Sequence, residues 1–142
     1  MSTMTLAALE SAHGVQVDEH LDRDLTVPVS GGLQRQGDVI VIPATVAGRG
    51  TPDATEPVPA AGVAVVRGEN GGNTHLLLGA PAAFYTPARP RSGSLDLGVL
   101  TVPAGSSAYL AHPEHGYAGI APGTYVVRRQ REQADEIRLV QD

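Results

Sequence analysis

Thr124-Tyr-Val-Val-Arg-Arg-Gln-Arg131 is the stretch that decides the fold class. Tyr125, Val127, Arg129 and Arg131 fall on one face, and Val126, Arg128 and Gln130 on the other. That is the period of two of a β-strand. Pro122-Gly123, just ahead of it, is a β-turn signal. Outward from this strand the same grammar repeats. Val39-Ile-Val-Ile42 is a β-branched run between the turn Gln36-Gly-Asp38 and Pro43, and it reads as a strand buried on both faces. Val63–Val66 and Thr74–Leu78 flank the Gly/Asn-rich turn Arg67–Asn73 and read as a hairpin. Leu95–Val102, Ser107–Ala111, Tyr117–Ile120 and Asp135–Val140 supply further strands. Thr45–Ala61, with Pro52, Pro57 and Pro59, reads as a long loop. Pro81–Ser94 reads as another, anchored by Phe84-Tyr85. Roughly six to eight short strands at regular spacing predict a small all-β barrel or sandwich over residues 34–142.

Residues 1–33 read differently. Leu6 and Leu9 give a short helix an apolar stripe, with Ser2 or Thr3 to start it and His13-Gly14 to end it. A polar, acidic stretch follows to Asp24, then extended Leu25–Val29 and the joint Ser30-Gly-Gly32. The segment is expected to be a flexible N-terminal arm that docks on a partner or on the body.

Composition bounds the rest. The chain has 142 residues, 42% hydrophobic and 18% charged. That length supports one domain whose core needs no disulfide or metal to fold. Cysteine is absent, which excludes thiolate metal sites and cysteine nucleophiles. All ten basic residues are arginine, so no lysine Schiff base or P-loop lysine exists. The net charge of −5 and only five aromatics disfavour nucleic acid as a partner. No apolar run is long enough to span a membrane, and the N-terminus lacks a signal peptide's pattern. The expected location is the cytoplasm or a virion.

Taken in order, Gln36-Gly-Asp-Val39, Asn73-Thr-His75, His112-Pro-Glu-His115, Ala121-Pro-Gly-Thr-Tyr125 and Arg129-Gln-Arg-Glu132 resemble a family of small bacterial and phage proteins. That family's pattern runs Q-G-D-V, G-H-x-H, H-x-E-H, L-P-x-G-x-Y and R-Q-R-E. It carries no established activity, so the resemblance implies no reaction. The first His of the G-H-x-H pair falls here on Asn73, so any metal site the pattern reports has lost an imidazole. Gly37–Ala44 and Val102–Gly105 also look like cupin turns. Ala108 stands where a cupin histidine would follow, so this likeness bears on fold and not on chemistry.

Two clusters are candidate sites. His75, His112 and His115, with Glu114 as ligand or base, form a donor set that suits Zn, Fe or Mn with an open position. The plainer reading is loop histidines bonded to backbone. Arg128, Arg129 and Arg131 suit an anion or an acidic partner surface. The plainer reading there is pairing with Glu132, Asp135 and Glu136. Tyr109, Tyr117 and Tyr125 either line a pocket near the histidines or pack in the core. No complete catalytic constellation is present. The first functional expectation is therefore a non-catalytic interaction or assembly module. It would bind a protein partner or copies of itself, with a virion or other particle as one setting. The alternative is a small metal-binding protein or metalloenzyme built on the histidines.

Overall fold

In the computed structural model, the described residues are 4–18, 21–48, 50–67, 74–79, 83–89 and 94–130. The described chain is predominantly β. One five-stranded sheet has the order β3 (Val29–Ser30), β11 (Gly116–Ile120), β10 (Ala108–His112), β7 (His75–Leu78), β6 (Val63–Val66). The other has the order β4 (Gln34–Gln36), β5 (Val39–Pro43), β12 (Gly123–Arg129), β9 (Asp96–Val102), β8 (Phe84–Pro87). β1 (Met4–Thr5) and β2 (Thr26–Val27) pair as a small separate ribbon. Both large sheets are open, so the barrel alternative is not realised among the described residues.

The alternation read at residues 124–131 explains how the sheets meet. Tyr125 and Val127 point into a core shared with Val39 and Val41 of β5, Leu100 and Val102 of β9, and Leu77, Leu110 and Ile120 of the opposite sheet. β12 is flanked by β5 and β9, both antiparallel. Its register against β9 shifts between Val127 and Arg128, a bulge that re-aims the arginine pair. Asp135–Val140 and Arg131 lie outside the described residues.

Two loop readings are corrected. Phe84–Pro87 is an edge strand paired to β9 through Tyr85↔Leu100. Pro87 has no N–H to donate, and an edge position tolerates that. Thr45–Ala61 begins with one helical turn, α2 (Ala44–Ala47), and then buries Ala54 and Val58. Ala54 N–H donates to Thr101 Oγ1 at 2.8 Å.

The helix α1 (Leu6–His13) starts at Thr5, whose hydroxyl accepts from Ala8 N–H, three residues along as an N-cap requires. Gly14 closes it in the left-handed conformation at φ 78°. Leu6, Leu9, Val17 and Val27 bury themselves against Leu78, Tyr109, Ala111 and Tyr117. The N-terminal segment therefore covers the outer face of the first sheet. This is why β10 is buried at every position: Ala108 and Leu110 face the shared core, while Tyr109 and Ala111 face the segment. Tyr109 and Tyr117 thus serve as packing groups, and the Tyr117 hydroxyl donates to Val15 O at 2.9 Å.

Arg23 locks the segment's turn. Its Nε and Nη2 reach Glu10, and its Nη atoms also donate to the carbonyls of Val17, Asp18 and Leu21. The Val17 N–H on Glu10, with Arg23, holds that carboxyl below its usual range. β3 joins β11 in parallel through Val29↔Gly119. A Cβ on Gly119 would sit 2.6 Å from Pro28 O, so this docking requires glycine.

His13 gives the segment a pH dependence. Its ring lies 6.2 Å from Tyr109 and 6.3 Å from Tyr117 between centroids, and burial pushes its pKa down. The unfolded chain then binds this proton more readily, so the contribution is full above about pH 6.5 and is lost as pH falls below it. The melting temperature should fall between pH 7.5 and 5.5, and the fall should shrink in His13→Gln. An unchanged slope in the variant would contradict this role.

Candidate histidine–aspartate site

The site is built where three turns meet. β4 and β5 are joined by the two-residue turn Gly37-Asp38, with Gln36 paired to Val39. β10 and β11 are joined through Pro113-Glu114-His115, with His112 paired to Gly116. His75 opens β7, one residue before the Leu76↔Ala111 pair. Strand pairing thus places His75 beside His112. The first-sheet loop brings His115 over the second-sheet turn.

The three imidazoles do converge. Ring centroids of His75 and His112 lie 4.4 Å apart, His112 and His115 4.6 Å, and His75 and His115 6.3 Å with nearly parallel planes. His75 and His112 are buried, while His115 and Glu114 are exposed. Gly37 adopts φ 58°. A Cβ there would lie 2.9 Å from His115 Nε2 and 3.3 Å from His75 Cε1. Glycine thus permits the turn and leaves room for the two rings.

Hydrogen bonding fixes the protons. The Gln36 amide nitrogen donates to Leu110 O at 2.8 Å and to Gly116 O at 3.1 Å. Its oxygen must then face His75 Nδ1, 3.0 Å away, so Nδ1 carries a proton. His75 Nε2 lies 3.2 Å from Asp38 Oδ1. A hydrogen bond there needs a second proton on the ring. Burial first, and then His112, oppose that proton, while Asp38 favours it; the net effect lowers the His75 pKa. His75 Nε2 thus has a side-chain oxygen of Asp38 at hydrogen-bonding distance. The other Asp38 oxygen accepts from Arg129 Nε at 3.1 Å, and Gln130 N–H donates to Asp38 O.

His112 is committed differently. Its Nδ1 accepts from the backbone N–H groups of Glu114 at 3.0 Å and His115 at 3.3 Å. That nitrogen bears no proton and has no free lone pair, so His112 shapes the loop. Among the described residues, no group of three or more His, Cys, Asp or Glu has its donors already gathered to hold a metal ion. The pair that is gathered is His75 Nε2 and Asp38 Oδ1. His115 stands over the same turn, with its Nε2 close to Gly37.

The arginines separate. Arg128 Nε donates to Asp96 at 2.7 Å, while Arg129 belongs to the histidine site through Asp38. Gln36 and Asp38 are the residues sequence reasoning missed as site members. The signal was a Gln and an Asp flanking the glycine of one turn, with no indication that either meets a histidine. A separate shallow groove of about 230 Å³ runs along Gly50–Pro52, Ala88, Gly98 and Val126. Its one charged lining group, Asp96, is engaged by Arg128.

These features define a small β-rich domain in which a buried histidine pairs with a half-buried aspartate. Residues 35–130 match the family described as Domain of unknown function (DUF8820), and the chain belongs to that family. The matched span holds the whole site and leaves out the N-terminal segment. No curated protein and no solved structure matches the chain. Among the described residues no helix is long and apolar enough to cross a membrane.

Proposed function

We propose that the protein binds a divalent transition-metal cation, of the Zn, Fe or Mn class, between His75 Nε2 and Asp38 Oδ1, with His115 as third donor. The observation that carries this reading is that His75 Nε2 and Asp38 Oδ1, two ligating atom types, stand 3.2 Å apart. Two donors at bond lengths of about 2.0–2.2 Å around a tetrahedral ion stand roughly 3.4 Å apart. The surrounding bonds are those a ligating pair requires. A ligating histidine donates its other nitrogen to an acceptor, as His75 does to Gln36, and a ligating carboxylate is itself hydrogen-bonded, as Asp38 is by Arg129. His115 is exposed on the neighbouring loop, its ring centroid 6.3 Å from that of His75.

Equilibrium dialysis against Zn²⁺, Mn²⁺ and Fe²⁺ with elemental analysis tests this. Wild type should retain one equivalent of one of these ions. Asp38→Asn should weaken retention at least ten-fold, and His115→Ala less. Retention unchanged in Asp38→Asn, or none in wild type, would refute the site.

A second reading, an interaction or assembly module, is favoured by β6. This edge strand reads Val63-Ala-Val-Val66 without a charge, and such an edge is a template for pairing with another chain. In this reading the partner, a particle subunit included, adds a strand to β6. Light scattering should then show a dimer or larger species that Val65→Lys disperses. A monomer at every concentration would remove the self-associating form of it.

A further inference from the structure

The N-terminal segment covers a sheet face, and it also grips the turn that carries His115. Asp18 N–H donates to Pro113 O at 2.8 Å. Leu21 Cδ1 stands 3.5 Å from where a Cβ on Gly116 would be. The Tyr117 hydroxyl bonds Val15 O just past the same turn. The bend that presents Val15, Asp18 and Leu21 is shaped by Arg23, whose guanidinium clasps Glu10 and the carbonyls of Val17, Asp18 and Leu21. The turn, in its place, walls in His75. The His75 side chain is 4% exposed, with the His112 ring 4.4 Å away and the His115 ring nearly parallel at 6.3 Å. The amides of Glu114 and His115, both on His112 Nδ1, tie those rings to the turn. The apolar cluster under the segment is separate from the core between the two sheets. Such a satellite can open as a local unit while the sandwich stays folded.

We propose that the N-terminal segment is a latch and the 113–115 turn a lid over the His75–Asp38 pair. With Arg23 clasped on Glu10, the turn is held down and His75 is shut in. Releasing the clasp lifts the segment, frees the turn and opens His75 to small molecules from solvent. The latch lies outside the matched span 35–130 and the lid inside it, so access control is an addition to the family domain. The device works without a bound ion, so its failure and that of the cation site are separable.

Diethyl pyrocarbonate, which acylates unprotonated imidazole nitrogens, tests this on the full chain with a chelator present. Peptide mass spectrometry reads the rate at each histidine. In wild type, exposed His115 should react fast and His75 slowly. Arg23→Gln should speed His75 about ten-fold or more, the factor by which losing one charge-assisted hydrogen bond raises the population of a locally open state. His13, half-buried beside Tyr109 and Tyr117, should speed up with it, because it reports the lifting of the segment. The amides of Leu100 and Val127, in the core between the sheets, should keep their exchange rates. If Arg23→Gln does not fold, Leu21→Ala, which shortens only the side chain against Gly116, should speed His75 by a smaller factor. His75 unchanged while His13 speeds up would overturn the lid, and both unchanged would overturn the latch. His75 speeding up only together with the Leu100 and Val127 amides, in both variants, would mean whole-domain unfolding and overturn the device.

Discussion

Gln36→Leu is expected to destabilise the protein by about 2–5 kcal/mol, because each buried polar group left unpaired costs about 1–3 kcal/mol. Leucine removes both donors that reach across to Leu110 O and Gly116 O, and the acceptor for His75 Nδ1. Gln36 is buried, so solvent does not replace these partners. Gln36 also ties the second sheet to the first, since both carbonyls belong to the β10–β11 hairpin. Urea unfolding measures the loss. Gln36→Glu separates packing from hydrogen bonding, because a carboxylate fills the same space but cannot donate to the two carbonyls. A cost below about 0.5 kcal/mol in Gln36→Leu, the scale of an ordinary surface change, would mean that Gln36 does not hold the His75 proton.

Leu100→Ala should lower stability by about 2–5 kcal/mol, the usual range for a buried leucine truncated to alanine. Leu100 is fully buried in β9 and stands between its register partners, Tyr125 on β12 and Tyr85 on β8. Two aromatic neighbours on adjacent strands cannot collapse far into the space it leaves. The expected signature is a lower urea midpoint with an unchanged slope. A loss under about 1 kcal/mol would place Leu100 outside the common core of the two sheets.

Strands with clean alternation or a β-branched run were legible. Val39–Pro43 and Gly123–Arg129 show why, since their side chains sort by face with the strand period. Phe84–Pro87 was hidden by Pro87 and by Pro81 and Pro90 on either side, because edge pairing is a property of the sheet and not of the segment. The helix end at Gly14 was legible from glycine's backbone freedom. Its start at Thr5 was not, because Ser2, Thr3 and Thr5 are all chemically able to cap.

At the site, His75, His112 and His115 could be grouped by residue type, and the structure brings their rings together. Their roles could not be assigned, because the bonds that decide them are distant in sequence or made by backbone. Gln36 and Asp38 meet His75 only when the two sheets pack. The 112–115 turn takes up the His112 Nδ1 atom with its own amides. Arg129 bonds Asp38, a partner far away in the chain, and Arg128 bonds Asp96.

The most direct measurement is long-range ¹H–¹⁵N NMR of the imidazole nitrogens at pH 7, before and after one equivalent of Zn²⁺. A cation seat requires His75 Nδ1 to keep its proton and Nε2 alone to shift strongly when zinc is added, because the ion displaces any proton there. His75 with protons on both nitrogens, and no response to zinc, would instead make the His75–Asp38 contact a structural ion pair and contradict the proposed function.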